Sequence, residues 1–295
     1  MRSQDHGGCH RTSNLTALSH RFTVRTEDSR VGRQVEALLE GLREEGAPVA
    51  GPADCSYVLR TSTDGRIDVL RDGTYTVRAQ RPGDAIGWLV WDLTRGAAEA
   101  GRDHLLLHAA GLQHSDIGVV IPGPSGSGKS TLAAGLVRAG LAYLSDELIA
   151  LELERGYLLP YAKPISVKPG SFGVLGDMFS STVSAANEQW SAGEMLLAVG
   201  DSVCRPVGVA CMPELVVVPR YEPGCRTTLA RLSETEAFAA LAVNAVNFVH
   251  HGADGAQALG ELVARCRCVA LTMSDLDQAV DLILGLLPDS RADTG

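Results

Sequence analysis

The chain has 295 residues, of which 45% are hydrophobic and 21% are charged, a composition typical of a globular protein with a full core. Its net charge of −9 argues against a nucleic-acid binder that neutralises phosphates. The sequence contains no run of roughly 18 apolar residues, so we expect no membrane-spanning helix. The seven cysteines form no C-x-x-C pair, so we expect reduced thiols and a cytoplasmic location.

The first third of the chain predicts a tail followed by a small domain. Residues 1–20 are polar and lack an apolar signal segment, so we expect a flexible tail there. RFTVRTED predicts a strand, and the segment after it has the apolar spacing of a helix. Two Asp-Gly pairs, at 64–65 and 72–73, separate alternating segments and predict a β-meander. With a helix in DAIGWLVWDLTRGAAEAG, residues 21–98 are expected to form an α+β domain without a catalytic cluster.

The rest of the chain, residues 99–290, predicts a second domain in which strands and helices alternate. LLLHAAGLQ and IGVVIPG predict strands, KSTLAAGLVRAG predicts a helix, and LAYLSDELIAL predicts an apolar strand that carries two acids. Residues 170–212 have weak periodicity and predict a mobile loop or lid. PELVVVPR predicts a buried strand, ETEAFAALAVNAVNFV a helix, and SDLDQAVDLILGLLP a helix with Ser274 as its N-cap. The expected fold class is α/β, leaning to α+β.

The segment IPGPSGSGKSTLAAGL fits the pattern G-x-x-x-x-G-K-[ST] between a predicted strand and a predicted helix. Glycines let main-chain N–H groups point at phosphate oxygens, and the helix N-terminus adds a partial positive charge. Lys129 is expected to reach the β and γ phosphates and the Ser130 hydroxyl to bind Mg²⁺. The residues expected to hold the nucleotide are Gly123, Pro124, Ser125, Gly126, Ser127, Gly128, Lys129, Ser130 and Thr131.

Asp146 and Glu147 follow the next apolar strand. A carboxylate there can bind Mg²⁺ or accept the proton of an attacking hydroxyl. We expect Asp146, Glu147 and Ser130 to be available as ligands of Mg²⁺. We assign Asp146 as the base, and Glu147 is the alternative for that role. His108 in LLLHAAG is expected to orient an acid or to contact a phosphate.

His108, the glycine-rich loop and the acid pair follow one another in an order that resembles the HPr kinase/phosphorylase catalytic domain. The order resembles more closely the HPr-kinase-related proteins of bacterial peptide-modification clusters, such as lasso-peptide kinases. The resemblance covers about residues 104–290. It rests on a strand His followed by a glycine, a G-x-S-G-x-G-K-S loop, and an acid pair that begins 17 residues after the lysine. PYAKPISVKPGSF is similar to a P-x-x-K-P-I-x-x-K segment of the related kinases, and VVVPRYEPG resembles their strand that ends in Arg-Tyr.

The resemblance implies a P-loop kinase fold shared with phosphoenolpyruvate carboxykinase, acting with ATP and Mg²⁺ on a serine hydroxyl with the first acid as base. It implies that Lys163, Lys168 or Arg220 contacts the γ-phosphate or the acceptor. The acid pair here is Asp-Glu rather than Asp-Asp, and residues 21–98 do not resemble the family's N-terminal domain.

The expected function is therefore ATP- and Mg²⁺-dependent transfer of the γ-phosphoryl group to a Ser/Thr-type hydroxyl of a peptide or small protein. Two alternatives are a kinase of a small-molecule alcohol and a nucleotide-binding regulatory protein without transfer. No nucleic-acid or membrane partner is expected. The acceptor, a homo-oligomeric state, and the use of GTP or pyrophosphate stay open. Residues 21–98 are expected either to recognise a substrate segment through a strand edge or to cover the kinase core.

Overall fold

The structure is a computed structural model that describes residues 10–12, 14–43, 53–179, 188–189, 193–203 and 205–288. The strands, in chain order, are β1 (His10–Arg11), β2 (Leu15–Ala17), β3 (His20–Thr26), β4 (Cys55–Thr61), β5 (Ile67–Arg71), β6 (Thr74–Ala79), β7 (Leu105–Leu107), β8 (Ala109–His114), β9 (Ile117–Pro122), β10 (Ala142–Ser145), β11 (Ile149–Leu151), β12 (Leu158–Leu159), β13 (Ile165–Val167), β14 (Glu188–Gln189), β15 (Met195–Leu197), β16 (Met212–Tyr221), β17 (Thr228–Arg231) and β18 (Arg267–Met273).

The α-helices are α1 (Ser29–Leu38), α2 (Pro82–Ala100), α3 (Lys129–Arg138), α4 (Gly176–Phe179), α5 (Glu234–Ala242), α6 (Phe248–Arg265) and α7 (Leu276–Leu284). Short 3₁₀ turns lie at Glu40–Leu42, Gly101–Asp103, Pro169–Ser171 and Asp201–Val203. This is a mixed α/β architecture, which confirms the predicted fold class at that level. No described helix is both long enough and apolar enough to cross a membrane.

The N-terminal sheet has the strand order β1-β3-β4-β5-β6, with β2 also paired to β3. β4, β5 and β6 form the predicted antiparallel meander. Gly65 and Gly73 have φ of 81° and 78°, the left-handed conformation that tight hairpin turns require and glycine adopts without steric cost. Helices α1 and α2 bury apolar side chains against this sheet.

The expected flexible tail at residues 1–20 is wrong for its second half. β1 and β2 both pair with β3 in antiparallel register, and Leu15 and Ala17 of β2 are buried. The segment Leu15–Ala17 alternates between buried and partly exposed positions, as a strand on a core does. It is three residues long, which is too short for a periodic pattern to be visible in the sequence. Residues 1–9 lie outside the described part of the chain.

The second sheet positions the candidate site. Its order is β10-β8-β9-β16-β18-β17, with β9, β16 and β18 mutually parallel and the other three strands antiparallel to their neighbours. Helices α3 and α7 contribute to the core on one face, and α5 and α6 contribute to the core on the other. The glycine-rich loop, residues 123–128, follows the carboxyl end of β9 and leads into α3.

Two predicted strands are each divided in the structure. LLLHAAGLQ forms β7 and β8, separated at His108, and LAYLSDELIAL forms β10 and β11, separated at residues 146–148. β8 pairs with β10 in the six-stranded sheet, whereas β7 pairs with β11 in a three-stranded sheet. Both segments therefore pass from one sheet to the other, β7–β8 at His108 and β10–β11 at residues 146–148. This brings His108 and the acid pair to one junction.

The segment expected as a mobile loop, residues 170–212, is partly ordered. β13 pairs with β15 in antiparallel register, and residues 196–199 are buried. These four residues, Leu-Leu-Ala-Val, are all apolar and pack into the hydrophobic core. Residues 180–187, 190–192 and 204 of this segment lie outside the described part.

Two helix boundaries also differ from expectation. The single helix predicted in ETEAFAALAVNAVNFV ends at Ala242, and α6 begins at Phe248. Asp275, not Ser274, caps α7, because its carboxylate accepts a hydrogen bond from the Gln278 N–H. The Ser274 hydroxyl instead donates to the Cys225 carbonyl.

The core under the N-terminal sheet continues into the second half of the chain. Apolar residues from both halves pack in one cluster, and those from beyond residue 99 are Leu106, Leu148, Ala150, Tyr161, Leu196 and Ala198. The two halves therefore share a core in the region next to the candidate site.

Candidate functional site

The glycine-rich loop has a backbone that only glycine adopts easily at three positions. Gly123, Gly126 and Gly128 have φ of 156°, 87° and 96°. A Cβ at Gly123 would lie 2.8 Å from the Ser127 Oγ, whereas a Cβ at Gly126 would meet no atom within 4 Å. The loop therefore leaves an open space beside Gly126, which a side chain at that position would enter.

Several hydrogen-bond donors at the loop and at the N-terminus of α3 have no protein partner among the residues that the structure describes. Within the described part of the chain, the main-chain N–H groups of Gly126, Gly128, Lys129 and Ser130 donate no hydrogen bond to a protein acceptor. The Ser127 Oγ is also buried without a hydrogen-bond partner there. Unpaired donors at the N-terminus of a ten-residue helix suit an anion, and phosphate oxygens are the ligand type such loops accept.

Lys129 folds back onto its own loop. Its side chain is only 6% exposed, and its Nζ lies 3.0 Å from the Pro124 carbonyl oxygen, close to the Gly123 carbonyl, and 3.3 Å from the His108 Nε2. Burial lowers the pKa of Lys129, while the charges of Asp146 and Glu147 oppose that shift. The ammonium is thus held at the loop, and a phosphate oxygen could replace the carbonyl contacts.

His108 lies at the junction between β7 and β8, where its N–H donates to the Asn244 carbonyl. Burial, and next the charge of Lys129, lower the pKa of His108. The ring is therefore neutral at neutral pH, and its Nε2 accepts from the Lys129 ammonium, which can only donate. The structure brings His108 to Lys129, and the hydrogen bonds of the Asp146 carboxylate go to other residues.

Asp146 is buried and already engaged by three donors. Its Oδ1 accepts from the Tyr143 hydroxyl at 2.8 Å and from the Lys163 Nζ at 2.7 Å. Its Oδ2 accepts from the Ser166 N–H at 3.2 Å. The neighbouring Glu147 is partly exposed and lies 3.3 Å from the same Lys163 Nζ. The acid pair therefore shares one cation.

Lys163 is that cation, and it is 1% exposed. Burial acts to lower the pKa of Lys163, but the charges of Asp146 and Glu147 outweigh it and raise the pKa overall. A side chain enclosed in this way contacts the acids and not a ligand in the cleft. The resemblance had assigned Lys163 to the γ-phosphate or the acceptor, and the structure places it behind Asp146 instead.

The other two expected phosphate or acceptor residues are in different places. Lys168 is exposed, and its Nζ donates to the Ser125 Oγ at 2.9 Å, so the structure brings it to the glycine-rich loop. Arg220 has a side chain that is 77% exposed and pairs with Glu222 at 3.4 Å. The structure does not bring Arg220 to the cleft described next, whereas its neighbour Tyr221 lines that cleft.

A cleft of about 530 Å³ lies in front of the loop and the acids. The expected residues that line it are His108, Ser125, Gly126, Gly128, Lys129, Ser130, Thr131, Asp146, Glu147 and Lys168. Sequence reasoning missed a further set, namely Val90, Trp91 and Thr94 of α2 and Tyr221, Met273 and Asp275 at the ends of β16 and β18. The two tryptophans of the α2 segment WLVW, Trp88 and Trp91, were a signal, because a single helix turn leaves little room to bury both side chains.

The oxygen atoms that line the cleft are suitable ligands for a magnesium ion that is bound together with phosphates. Ser130 and Glu147 offer oxygen ligands, the type that Mg²⁺ prefers. Among the described residues, no group of three or more His, Cys, Asp or Glu side chains could hold a metal. Mg²⁺ commonly takes only one or two protein ligands and completes its shell with phosphate oxygens and water. Asp146, which pairs with Lys163, is the least available of the three expected ligands.

Comparisons with known proteins find distant likenesses among solved structures alone. No protein-family model matches the chain, and no curated protein matches it. Among solved structures, it is similar to the Hpr(Ser) kinase/phosphatase from Coxiella burnetii, with 13% sequence identity and a TM-score of 0.30. The match covers 61% of this chain and 95% of that chain.

Proposed function

We propose that the chain is an ATP- and Mg²⁺-dependent kinase that transfers the γ-phosphoryl group to a Ser/Thr-type hydroxyl of a peptide or small protein. One observation carries the proposal. A helix N-terminus with unpaired main-chain donors and Lys129 opens into the same cleft as the acid pair Asp146 and Glu147. Phosphoryl transfer requires mainly positioning and charge neutralisation, and this cleft supplies both.

The loop and Lys129 would bind the phosphates of the nucleotide. The free N–H groups at Gly126, Gly128, Lys129 and Ser130 would donate to phosphate oxygens, and the Lys129 ammonium would neutralise charge on the β and γ phosphates. Ser130 and Glu147 would hold Mg²⁺, which when bound withdraws charge from the oxygens of the breaking bond. The acceptor oxygen forms a bond to the γ-phosphorus, the bond to the bridging oxygen breaks, and ADP leaves with that electron pair.

Asp146 is our assignment for the group that takes the hydroxyl proton. Its Oδ2 accepts a single hydrogen bond, from the Ser166 N–H, and Asp146 lines the cleft. Lys163 and Tyr143 fix the other oxygen and so orient the carboxylate. His108, through its contact with Lys129, would keep the ammonium at the loop without adding a second positive charge, since its ring is neutral.

The shape of the cleft favours a peptide or protein acceptor over a small alcohol. Side chains of α2, from the N-terminal half, border the cleft, and Trp91 and Val174 on its walls are exposed. A metabolite site is more often a pocket that encloses its ligand, whereas a groove at the surface accepts an extended chain.

A second candidate is a nucleotide-binding regulatory protein that transfers no phosphate. The ion pair of Asp146 with the buried Lys163 favours it, because this contact gives the carboxylate a structural role that does not require phosphate transfer.

The test is transfer of label from γ-labelled ATP, with Mg²⁺, to serine-containing peptides and to small alcohols, by the wild type and by Asp146→Asn. We expect labelled peptide from the wild type, and a loss of about 10²- to 10⁴-fold in Asp146→Asn, the usual contribution of a general base. Nucleotide binding, measured separately with a fluorescent ATP analogue, should survive and so shows that the variant is folded.

Other outcomes decide between the candidates. Full activity in Asp146→Asn together with loss in Glu147→Gln would move the base to Glu147. Label in an alcohol but in no peptide would indicate a metabolite kinase. ATP binding by the wild type without any labelled product would favour the regulatory protein, and no binding of ATP would refute the whole proposal.

A further inference from the structure

Helix α2 forms a wall of the cleft although it belongs to the N-terminal half of the chain. Val90, Trp91 and Thr94, which lie on one helical face, line the cleft. The helix is fixed to the N-terminal sheet on its other side, where the buried Asp92 carboxylate accepts from the Tyr57 hydroxyl at 2.7 Å and from Arg71 at 3.1 Å. This wall is therefore a rigid part of the cleft.

The α2 wall lies at the end of the cleft where the acids are. The Thr94 Oγ1 is 2.9 Å from the Tyr161 hydroxyl, which shares a buried environment with Lys163 and Asp146. Lys163, two residues after Tyr161, pairs directly with Asp146. Hydrogen bonds and short chain connections thus join the α2 wall to the carboxylate assigned as the base.

The other wall of the cleft lies beside the start of α3. A Cβ at Gly128 would lie 2.4 Å from the Met273 Cε and 3.7 Å from the Tyr221 Cβ. Tyr221 and Met273 are therefore next to the loop and to the start of α3. Because the outermost phosphate must face the acids, a nucleotide in the loop would extend its nucleoside towards Tyr221 and leave the α2 side to the acceptor.

The acceptor side is apolar where it meets solvent. Trp91 is 55% exposed, and Val174, which also lines the cleft, is exposed as well. An exposed indole in a cleft loses contact with water when an apolar group covers it, and this favours binding. The acidic Glu147 and Glu194 line the same cleft, so an acidic side chain is a poor match for this position.

We infer that Trp91 is a specificity-determining residue that packs against an apolar or aromatic side chain of the peptide acceptor, within one or two residues of the serine that receives the phosphate. The inference rests on the proposed function, because the direction of the nucleotide in the cleft follows from it. It narrows the acceptor class to peptides in which the serine has an apolar neighbour.

The test is binding of a defined set of peptides in the presence of a non-hydrolysable ATP analogue. Each peptide has one serine, flanked by alanine, leucine, phenylalanine or aspartate. The wild type should bind the leucine and phenylalanine peptides about tenfold more tightly than the alanine peptide. Trp91→Ala should lose this preference, and Trp91→Phe should keep most of it.

Tyr75→Ala is the matched control. Tyr75 is also 55% exposed, but it lies on β6, and it does not line the cleft. This variant removes an equally exposed aromatic ring and should leave the preference unchanged. Tyr221→Ala should weaken binding of the nucleotide analogue and leave the order of the peptides unchanged.

Four results would overturn the inference, three from binding and one from phosphate transfer. The first is that the wild type binds no peptide or binds the alanine and leucine peptides equally. The second is that Trp91→Ala keeps the preference for leucine and phenylalanine peptides. The third is that Trp91→Ala weakens binding of the nucleotide analogue, because Trp91 would then contact the nucleoside. Phosphate transfer is measured separately on the same variants and peptides, with γ-labelled ATP in place of the analogue. If the wild type and Trp91→Ala transfer phosphate with the same peptide preference, only this inference is overturned. A wild type that binds no nucleotide would overturn the proposed function.

Discussion

Lys163 and Lys168 lie five residues apart in the chain and have opposite surroundings. Lys163 is buried against Asp146 and Glu147, and Lys168 is exposed at the rim of the cleft beside Ser125. The strand β13 lies between them, and side chains five residues apart on an extended chain point to opposite faces. The two lysines therefore have different roles although one motif contains both.

We predict that Lys163→Met lowers the free energy of unfolding by about 3–5 kcal/mol, because it leaves the buried Asp146 carboxylate without its cation. Lys168→Met is the control and should change it by about 0.5 kcal/mol or less, since the side chain is in solvent. Urea unfolding of both variants measures the difference. Equal losses in the two would show that the ion pair with Asp146 does not stabilise the fold.

The residue types of the site could be predicted from the sequence, but not the contacts between them. The glycine-rich loop is contiguous, so Lys129 and Ser130 are positioned by local structure. The pairing of Lys163 with Asp146 joins residues from different strands and depends on burial. The odd spacing of Lys163 and Lys168 was a signal that the two point in opposite directions, but it does not say which one is inside.

Among the elements, β9, the glycine-rich loop and α3 form the unit that makes the anion site. Gly126 lies in the loop, and Gly140 follows α3; both have positive φ, 87° and 103°, and a Cβ at either would meet nothing within 4 Å. The two glycines are alike in backbone strain and differ in what surrounds them, because only Gly126 lines the cleft.

Gly126→Ala and Gly140→Ala are therefore a matched pair. Each should lower the free energy of unfolding by roughly 1–2 kcal/mol, the cost of a left-handed conformation for a residue with a Cβ. Only Gly126→Ala should weaken nucleotide binding, by about tenfold or more, since its methyl group enters the space for the phosphates. Thermal unfolding and titration with an ATP analogue measure the two effects. Equal binding by both variants would mean that the phosphates lie elsewhere.

The division of strands at the site was not visible in the sequence. LLLHAAGLQ and LAYLSDELIAL are mostly apolar on both sides of their polar residues, and each predicts one strand. They divide because their two halves pair with different sheets, which is a property of the tertiary structure. The meander of β4, β5 and β6 was predicted because its Asp-Gly turns are local signals.

At the scale of the whole molecule, the N-terminal half and the second half share one buried cluster. Leu106, Leu148, Tyr161 and Leu196 pack with residues of the N-terminal sheet. The composition of the chain shifts near residue 98 and suggested two domains, but composition does not reveal a core formed by both. The shared cluster and the α2 wall tie the N-terminal half to the cleft.

We predict a single cooperative unfolding transition for the chain. In urea, the midpoint measured by tryptophan fluorescence, to which Trp88 and Trp91 of α2 contribute, should coincide with the midpoint measured by nucleotide binding. A fragment that begins at residue 99 should aggregate, because it would expose the apolar side chains that the N-terminal sheet covers. Two separate midpoints, or a soluble fragment that binds nucleotide, would contradict the shared core.

The scarcity of lysine has a practical consequence for labelling. The chain has three lysines, and two of them, Lys129 and Lys163, are 6% and 1% exposed. An amine-reactive dye, which attaches to many sites on most proteins, would find Lys168 as the one accessible side-chain amine. Its Nζ is 2.9 Å from the Ser125 Oγ, so a fluorophore there would stand at the mouth of the cleft. Ordinary conjugation chemistry would thus yield an optical reporter of ligand entry without any introduced cysteine.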